Sequence, residues 1–199
     1  MKTSISLFSV FVTGVFAGLY KLLPQIIISP QYVDWVLYIL LFLIGFGLGN
    51  DEKILKSIKG HKKTVFVITG GTVIGTLIGS AASVLLLNDI NLKEALAVGS
   101  GFGYYSLSSV LISDMHSEVL GSIALMSNLL RELTTLLLAP AFVKIFGKYA
   151  VIMSGGATSM DTTLPVVIKF SGKDLSIVSI LHGFIITLLV PVLVTLFLS

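Results

Sequence analysis

The chain has 199 residues, of which 55% are hydrophobic and only 12% are charged, and its mean hydropathy is +1.01. Soluble domains carry about a quarter charged residues, so this composition excludes a soluble globular protein. The absence of cysteine excludes disulfides, thiolate metal sites and cysteine nucleophiles, and no cofactor is expected. The net charge of +3 lies in short connections between apolar runs, so it indicates orientation in a membrane rather than nucleic-acid binding.

Five apolar runs are long enough to cross a bilayer as helices, which takes about 20 residues each. They cover residues 5–23, 33–49, 64–87, 119–142 and 175–198. The first run resembles a signal peptide, but no clear small-residue cleavage site follows it, so it is interpreted as a helix. Pro140 is expected to end the fourth run, and Pro191 is expected to kink the last one.

The most basic connection follows the second run. It contains Lys53, Lys56, Lys59, His61, Lys62 and Lys63. By the positive-inside rule this connection is cytoplasmic, which also places the amino terminus inside. The run that follows it carries Gly71, Gly75 and Gly79 at four-residue spacing, a pattern that predicts close packing against a neighbouring helix.

Two further apolar segments, 95–113 and 150–168, are interrupted by GSGFGYYSLSS and SGGATSMDTTLP. Irregular backbone at membrane depth is tolerated only where protein buries it or a water-filled cavity runs beside it. Each segment could be re-entrant or spanning. The re-entrant arrangement leaves only Lys21 and Lys93 outside and therefore obeys the positive-inside rule better, and either arrangement puts the carboxyl terminus outside.

The sequence thus predicts an all-α polytopic membrane protein that forms a single transport domain. It has about five full transmembrane helices and two discontinuous segments that enter from opposite sides. On composition alone, the two broken segments fit an inverted repeat, in which such segments mark a substrate site at the midplane.

Glu132 and Asp161 are acidic residues within apolar runs. A charge near the bilayer centre costs about 2.5 to 3.5 kcal/mol, so such residues mark ion, proton or substrate pathways. Glu132 shares a helix face with Asn128 and Thr135, whereas its neighbour Arg131 points about 100° away and is badly placed to form a structural pair with it. Asp161 could instead cap a half-helix that runs into Pro165.

Other candidates for a substrate or proton site surround these carboxylates. They are Gly101 and Tyr105 in the first broken segment, Ser159 and Thr162 in the second, and Asn128 beside Glu132. His182, in the last run, could relay protons or could simply form packing hydrogen bonds. Ser106 or Ser159 with His182 raises an intramembrane serine protease, but no nucleophile elbow and no third orienting group is visible.

These residue types suit a small zwitterion with an extra positive charge. Free amides at half-helix amino ends can hold its carboxylate, while Glu132 and Asp161 receive either ammonium groups or protons. Competition of ammonium and proton for one carboxylate predicts cation/proton antiport.

Several motifs together resemble the LysO family of lysine exporters. They are LLFLIGFGLGND, SGFGYYSLSSVLIS, LLREL, SGGATSMDTTLPVVI and LHGFIITLLVPVLV. The resemblance covers nearly the whole chain. It implies a transporter rather than an enzyme, which exports L-lysine and its toxic analogue thialysine across the cytoplasmic membrane in exchange for protons. The family's two essential acidic residues fall on Glu132 and Asp161.

The full-length form of that family has additional amino-terminal helices, and this chain resembles its carboxyl-terminal part. The resemblance therefore implies a homo-oligomer or a separately encoded small membrane subunit. Two alternatives stay open: a passive channel, and a non-transporting subunit of a two-chain transporter.

Overall fold

The computed structural model describes residues 52–87 and 89–199, together with isolated positions before residue 52. The predicted helices 5–23 and 33–49 lie outside the described residues. The chain divides into two compact units, Met1–Gly47 and Leu48–Ser199, and the fold described below is that of the second. Within its described residues there are helices and turns but no strand, which confirms the all-α prediction for this part of the chain.

Three long helices alternate with two pairs of short ones. In chain order they are α1 (Glu52–Ser83), α2 (Leu92–Gly99), α3 (Tyr105–Met115), α4 (Glu118–Phe146), α5 (Ala150–Gly155), α6 (Leu164–Ser171) and α7 (Ser176–Leu198). Short 3-10 helices, Gly156–Met160 and Lys173–Leu175, precede α6 and α7. The two segments predicted to be broken are therefore the pairs α2–α3 and α5–α6.

The basic stretch predicted as a connection is instead the beginning of α1. This helix has 32 residues, and at 1.5 Å per residue it is about 48 Å long. Because the hydrocarbon core of a bilayer is about 30 Å thick, part of α1 extends beyond it. Within the described residues, two stretches are long and apolar enough to cross a membrane, Gly60–Ser83 and Lys173–Leu198.

Pro140 does not end α4, contrary to the sequence-based expectation. The helix continues to Phe146, and Phe142 and Val143 in its last turns contact a hydrophobic cluster around Ala139 and Val178. Proline removes one intrahelical hydrogen bond, and these apolar contacts offset that loss. Pro191 lies inside α7, as expected, and the kink at that position stays a prediction.

The first broken segment is a hairpin in which the beginning of α2 lies beside the end of α3. Glu94, near the beginning of α2, accepts a hydrogen bond from the Asn91 backbone and lies 2.7 Å from the ring of His116, which follows α3. The backbone N–H of Asn91 lowers the pKa of the Glu94 carboxyl most, and the hydrogen bond with His116 lowers it further. This carboxylate therefore stays ionised at neutral pH. The contact therefore closes the open end of the hairpin.

The second broken segment is also a hairpin. Val151 and Ile152 of α5 and Val167 of α6 belong to one buried cluster with Val65 at the beginning of the α1 apolar stretch and Val178 at the beginning of α7. Both arms therefore lie beside the same end of the long helices.

The two hairpins enter from opposite ends of the unit. Lys93 of α2 donates a hydrogen bond to the backbone oxygen of Ser199, 3.1 Å away, which places the first hairpin at the end of α7. The second hairpin lies at the beginning of α7 and α1. The helices α1, α4 and α7 therefore run between the two ends, with α4 antiparallel to the others, and which end faces the cytoplasm stays a prediction.

Polar and apolar side chains are arranged as a membrane requires. The outer surfaces expose large apolar residues, with Phe66 81%, Leu137 74% and Leu196 62% accessible. The interior instead buries polar residues, including Thr72, Asn128, Glu132, Ser159 and His182. Such polar groups need partners within the protein because lipid offers none.

The predicted glycine stripe of α1 is only partly packed. A Cβ atom on Gly71 would lie 2.9 Å from the end of the Met153 side chain, so this glycine permits a close contact. No atom among the described residues lies within 4 Å of a Cβ placed on Gly75 or Gly79. These two glycines line a groove of about 990 Å³ between α1, α2 and α4.

Candidate functional site

The tips of the two hairpins touch in the middle of the fold. The first tip is residues 100–104, between α2 and α3, and the second tip is the 3-10 helix Gly156–Met160. The carbonyl oxygen of Phe102, in the first tip, accepts a hydrogen bond of 2.9 Å from the backbone N–H of Ala157 in the second. Gly103 and Gly156 have φ angles of +92° and +60°, which favour glycine. A Cβ on Gly156 would overlap the Phe102 oxygen, so this crossing of the two backbones requires glycine there.

Asn128 of α4 holds the first tip. Its side-chain oxygen accepts from the N–H of Gly103 at 2.7 Å, and its amide nitrogen donates to the carbonyl oxygens of Val98 and Ala124. A Cβ on Gly101 would overlap the Asn128 amide. Asn128 and Gly101 are both predicted to line a substrate site. In the structure they are buried against each other, where Asn128 holds the first tip in place.

Arg131 holds the second tip, a role that the sequence pattern did not identify. Its guanidinium donates to the carbonyl oxygens of Ser154 (2.8 Å) and Met153 (3.0 Å) at the end of α5, and to the hydroxyl of Thr76 on α1 (3.0 Å). A cation is favourable at a helix carboxyl end, where carbonyl groups lack partners. Arg131 therefore fixes where α5 breaks.

We expect Arg131→Gln to lower the free energy of unfolding by about 3 kcal/mol or more, because hydrogen bonds to a charged group are each worth about 1.5–3 kcal/mol. Arg131→Lys keeps the charge but has no planar fork to reach three oxygens, so its stability should be intermediate. Thermal unfolding of the purified protein measures both. Full stability of the lysine variant would show that charge alone matters at this position.

Glu132 lies on the buried face of α4 that the sequence predicts. Asn128, Glu132 and Thr135 are all buried, and only 7% of Glu132 is exposed. In the part of the chain that the structure describes, neither Arg131 nor any other cation forms an ion pair with Glu132. The expectation that Arg131 and Glu132 do not pair is thus confirmed, and no described residue supplies the carboxylate with a counter-ion.

Asp161 follows the second tip and is exposed. Its Oδ1 atom accepts from the backbone N–H of Thr162 at 2.6 Å and from the Thr162 hydroxyl at 3.4 Å. The residue that caps α6 is Thr163, without a side-chain hydrogen bond, so the alternative that Asp161 is the cap is wrong. Asp161 is thus an accessible carboxylate beside the crossing.

Tyr105, the first residue of α3, lies within electrostatic range of both carboxylates. Its phenol is close enough to Glu132 and to Asp161 to be influenced by the charge of each, and the phenol of Tyr104 is close enough to Asp161. A partly buried phenol near two acids can donate a hydrogen bond to one of them. Glu132 and Asp161 therefore both lie near Tyr105, and all three are residues that the sequence predicts for the site.

His182 and Ser159 form a buried bridge between α1, α7 and the second tip. The ring nitrogens of His182 lie 2.9 Å from the Thr72 hydroxyl and 3.0 Å from the Ser159 hydroxyl. Ser159 also contacts the carbonyl oxygens of Gly156 and Ser179. A serine–histidine contact therefore exists, but the other ring nitrogen contacts a hydroxyl rather than a carboxylate, and Ser159 is fully buried. This geometry does not favour a protease.

Comparison with known proteins gives consistent similarities. The family model "Lysine exporter LysO" matches residues 8–198. The chain is 38% identical to the Escherichia coli "Lysine exporter LysO" over 169 residues, which are 85% of this chain and 56% of that protein. It is 34% identical to a Haemophilus influenzae protein described as "Putative lysine exporter" over 165 residues, 83% of each chain. No solved structure matches.

Proposed function

The chain belongs to the lysine exporter LysO family, and from this premise we propose that it exports L-lysine and analogues such as thialysine in exchange for protons. It spans little more than half the length of the Escherichia coli relative. The observation that supports the proposal most is the pair of carboxylates, Glu132 and Asp161, beside two backbone tips that meet inside an apolar protein. The ends of interrupted helices and acidic residues within the membrane are typical of substrate sites in transporters.

The site has complementary groups for each charge of lysine. We assign the two ammonium groups to Glu132 and Asp161, with the hydroxyls of Tyr105 and Thr162 as additional hydrogen-bonding groups. The substrate carboxylate is assigned to the first turn of α3, because Tyr104 provides no side-chain cap for its amides. Such uncapped amides carry partial positive charge and bind anions.

Exchange follows from competition for the same carboxylates. When a proton binds Glu132 or Asp161, the charge that attracts the ammonium group is removed and lysine is released. When lysine binds, the proton leaves. Asn128, Arg131, Gly101, Ser159 and His182 act as positioning residues, since their contacts hold the tips that carry the site.

We also propose how the protein is oriented in the membrane and how it assembles. The basic beginning of α1 supports a cytoplasmic location for that end, with the amino terminus inside and the carboxyl terminus outside the cytoplasmic (inner) membrane. The opposite entry of the two hairpins supports an inverted repeat. We further propose that it works as a homo-oligomer or with a separately encoded small membrane subunit.

Lysine-loaded proteoliposomes under an imposed pH gradient test the exchange. An exporter coupled to protons should release lysine faster when the receiving side is acidic. A passive channel should release it at a rate indifferent to the gradient, and a non-transporting subunit should release none. Asp161→Asn should abolish the acceleration, whereas Asp174→Asn, a matched change at another exposed aspartate, should retain it.

His182→Gln separates positioning from proton relay. We expect a loss of stability of about 1–3 kcal/mol, because the variant removes the ring that joins two buried hydroxyls and each hydrogen bond is worth about 0.5–1.5 kcal/mol. The pH at which lysine exchange is half-maximal should stay at its wild-type value. A shift of that pH in a folded variant would place His182 on the proton pathway.

A further inference from the structure

A second groove lies between α1 and α7, away from the carboxylates. Its volume is about 590 Å³. It is lined by Lys62, Lys63, Val65, Phe66, Leu181, Phe184 and Ile185. The proposed transport mechanism uses none of these residues.

The described residues that line the groove are apolar apart from two lysines. Lys62 and Lys63 are exposed, and neither has an acidic partner among the side chains that the structure describes from residue 60 onward. Phe66 is 81% exposed, which is unfavourable in water but suits contact with hydrocarbon. The positive charge of the lysines repels the exported cation, so this groove does not suit lysine as its ligand.

Charge and apolar surface are also ordered by depth. The apolar stretch of α1 begins at Gly60, so Lys62 and Lys63 lie where the helix enters the membrane. The apolar stretch Lys173–Leu198, which includes α7, runs parallel to α1, so Leu181 and Ile185 lie two to three turns further in than Lys173. The groove therefore has a cationic rim at the interface and an apolar interior.

We propose that this groove binds an anionic phospholipid. Lys62 and Lys63 contact the phosphate, and an acyl chain lies along Phe66, Leu181 and Phe184. Basic pockets between transmembrane helices bind acidic headgroups in this way. The proposal is independent of the exported substrate.

Native mass spectrometry of the purified full chain tests this site, with phosphatidylglycerol and phosphatidylcholine as probes. Lys62→Gln/Lys63→Gln should weaken the phosphatidylglycerol complex about 30-fold, because each lysine near an anionic headgroup contributes about fivefold. Binding of phosphatidylcholine should not change. The matched control Lys144→Gln/Lys148→Gln removes the same charge from two exposed lysines outside the groove and should keep wild-type binding.

A second arm tests the apolar part of the groove. Phe66→Ala leaves the charge unchanged and should still weaken phosphatidylglycerol binding, while glycerol phosphate should fail to compete. Wild-type binding by the double lysine variant would overturn the proposal, as would an equal loss in the Lys144/Lys148 control. Full competition by glycerol phosphate would also overturn it, because the site would then be an anion site without a lipid chain.

Discussion

Replacing Glu132 by glutamine should reduce lysine exchange about 10- to 150-fold, because a hydrogen bond to a charged group is worth about 1.5–3 kcal/mol. Glutamine has the shape of glutamate but carries no negative charge and does not take up a proton. The carboxylate is buried and has no ion pair within the described part of the chain, so the substrate and the proton are its proposed partners. Efflux of labelled lysine from proteoliposomes measures the loss.

Glu118→Gln is the matched control for this change. Glu118 lies on the same helix, in the first turn of α4, and is exposed. This variant should transport like the wild type, and both variants should unfold at wild-type temperature. Normal efflux by a folded Glu132→Gln protein would remove Glu132 from the mechanism.

Gly156→Ala should disrupt the crossing itself. The added Cβ would overlap the Phe102 oxygen, and the φ angle of +60° is strained for alanine. Backbone strain of about 1–3 kcal/mol and overpacking of about 1–3 kcal/mol together predict a loss of stability of about 2–6 kcal/mol. We expect a lower unfolding temperature and loss of lysine exchange, measured on the same preparation.

Gly70→Ala is the corresponding control for a glycine without a special role. Gly70 lies inside α1, and its added Cβ would meet no described atom within 4 Å. Alanine is favoured over glycine in a helix by about 0.5–1 kcal/mol, so stability should stay equal or rise slightly. A Gly156→Ala protein as stable and active as Gly70→Ala would show that the tips need not touch.

Local patterns in the sequence predict much of the fold and the acidic part of the site. The glycine- and serine-rich centres of 95–113 and 150–168 predict breaks because they suit neither a continuous helix nor contact with lipid. Helical spacing places Asn128, Glu132 and Thr135 on one face, and all three are buried there.

Features that depend on tertiary contacts could not be predicted in this way. Arg131 binds carbonyl oxygens more than 20 residues away in the chain, and no local pattern encodes that contact. The same holds for Asn128, whose hydrogen bonds to Gly103 in the first tip and to Val98 in α2 join segments about 25 to 30 residues apart in the chain. The basic beginning of α1 was predicted as a connection by its charge, although lysine is a good helix former.

Counterflow of labelled lysine into proteoliposomes that contain this chain alone tests the central claim most directly. Vesicles loaded with unlabelled lysine should accumulate the label, and vesicles with Glu132→Gln should not. Uptake by the wild type alone would establish a self-sufficient lysine carrier that uses Glu132. Equal uptake by both would contradict the assigned site, and no uptake by either would contradict transport by the isolated chain.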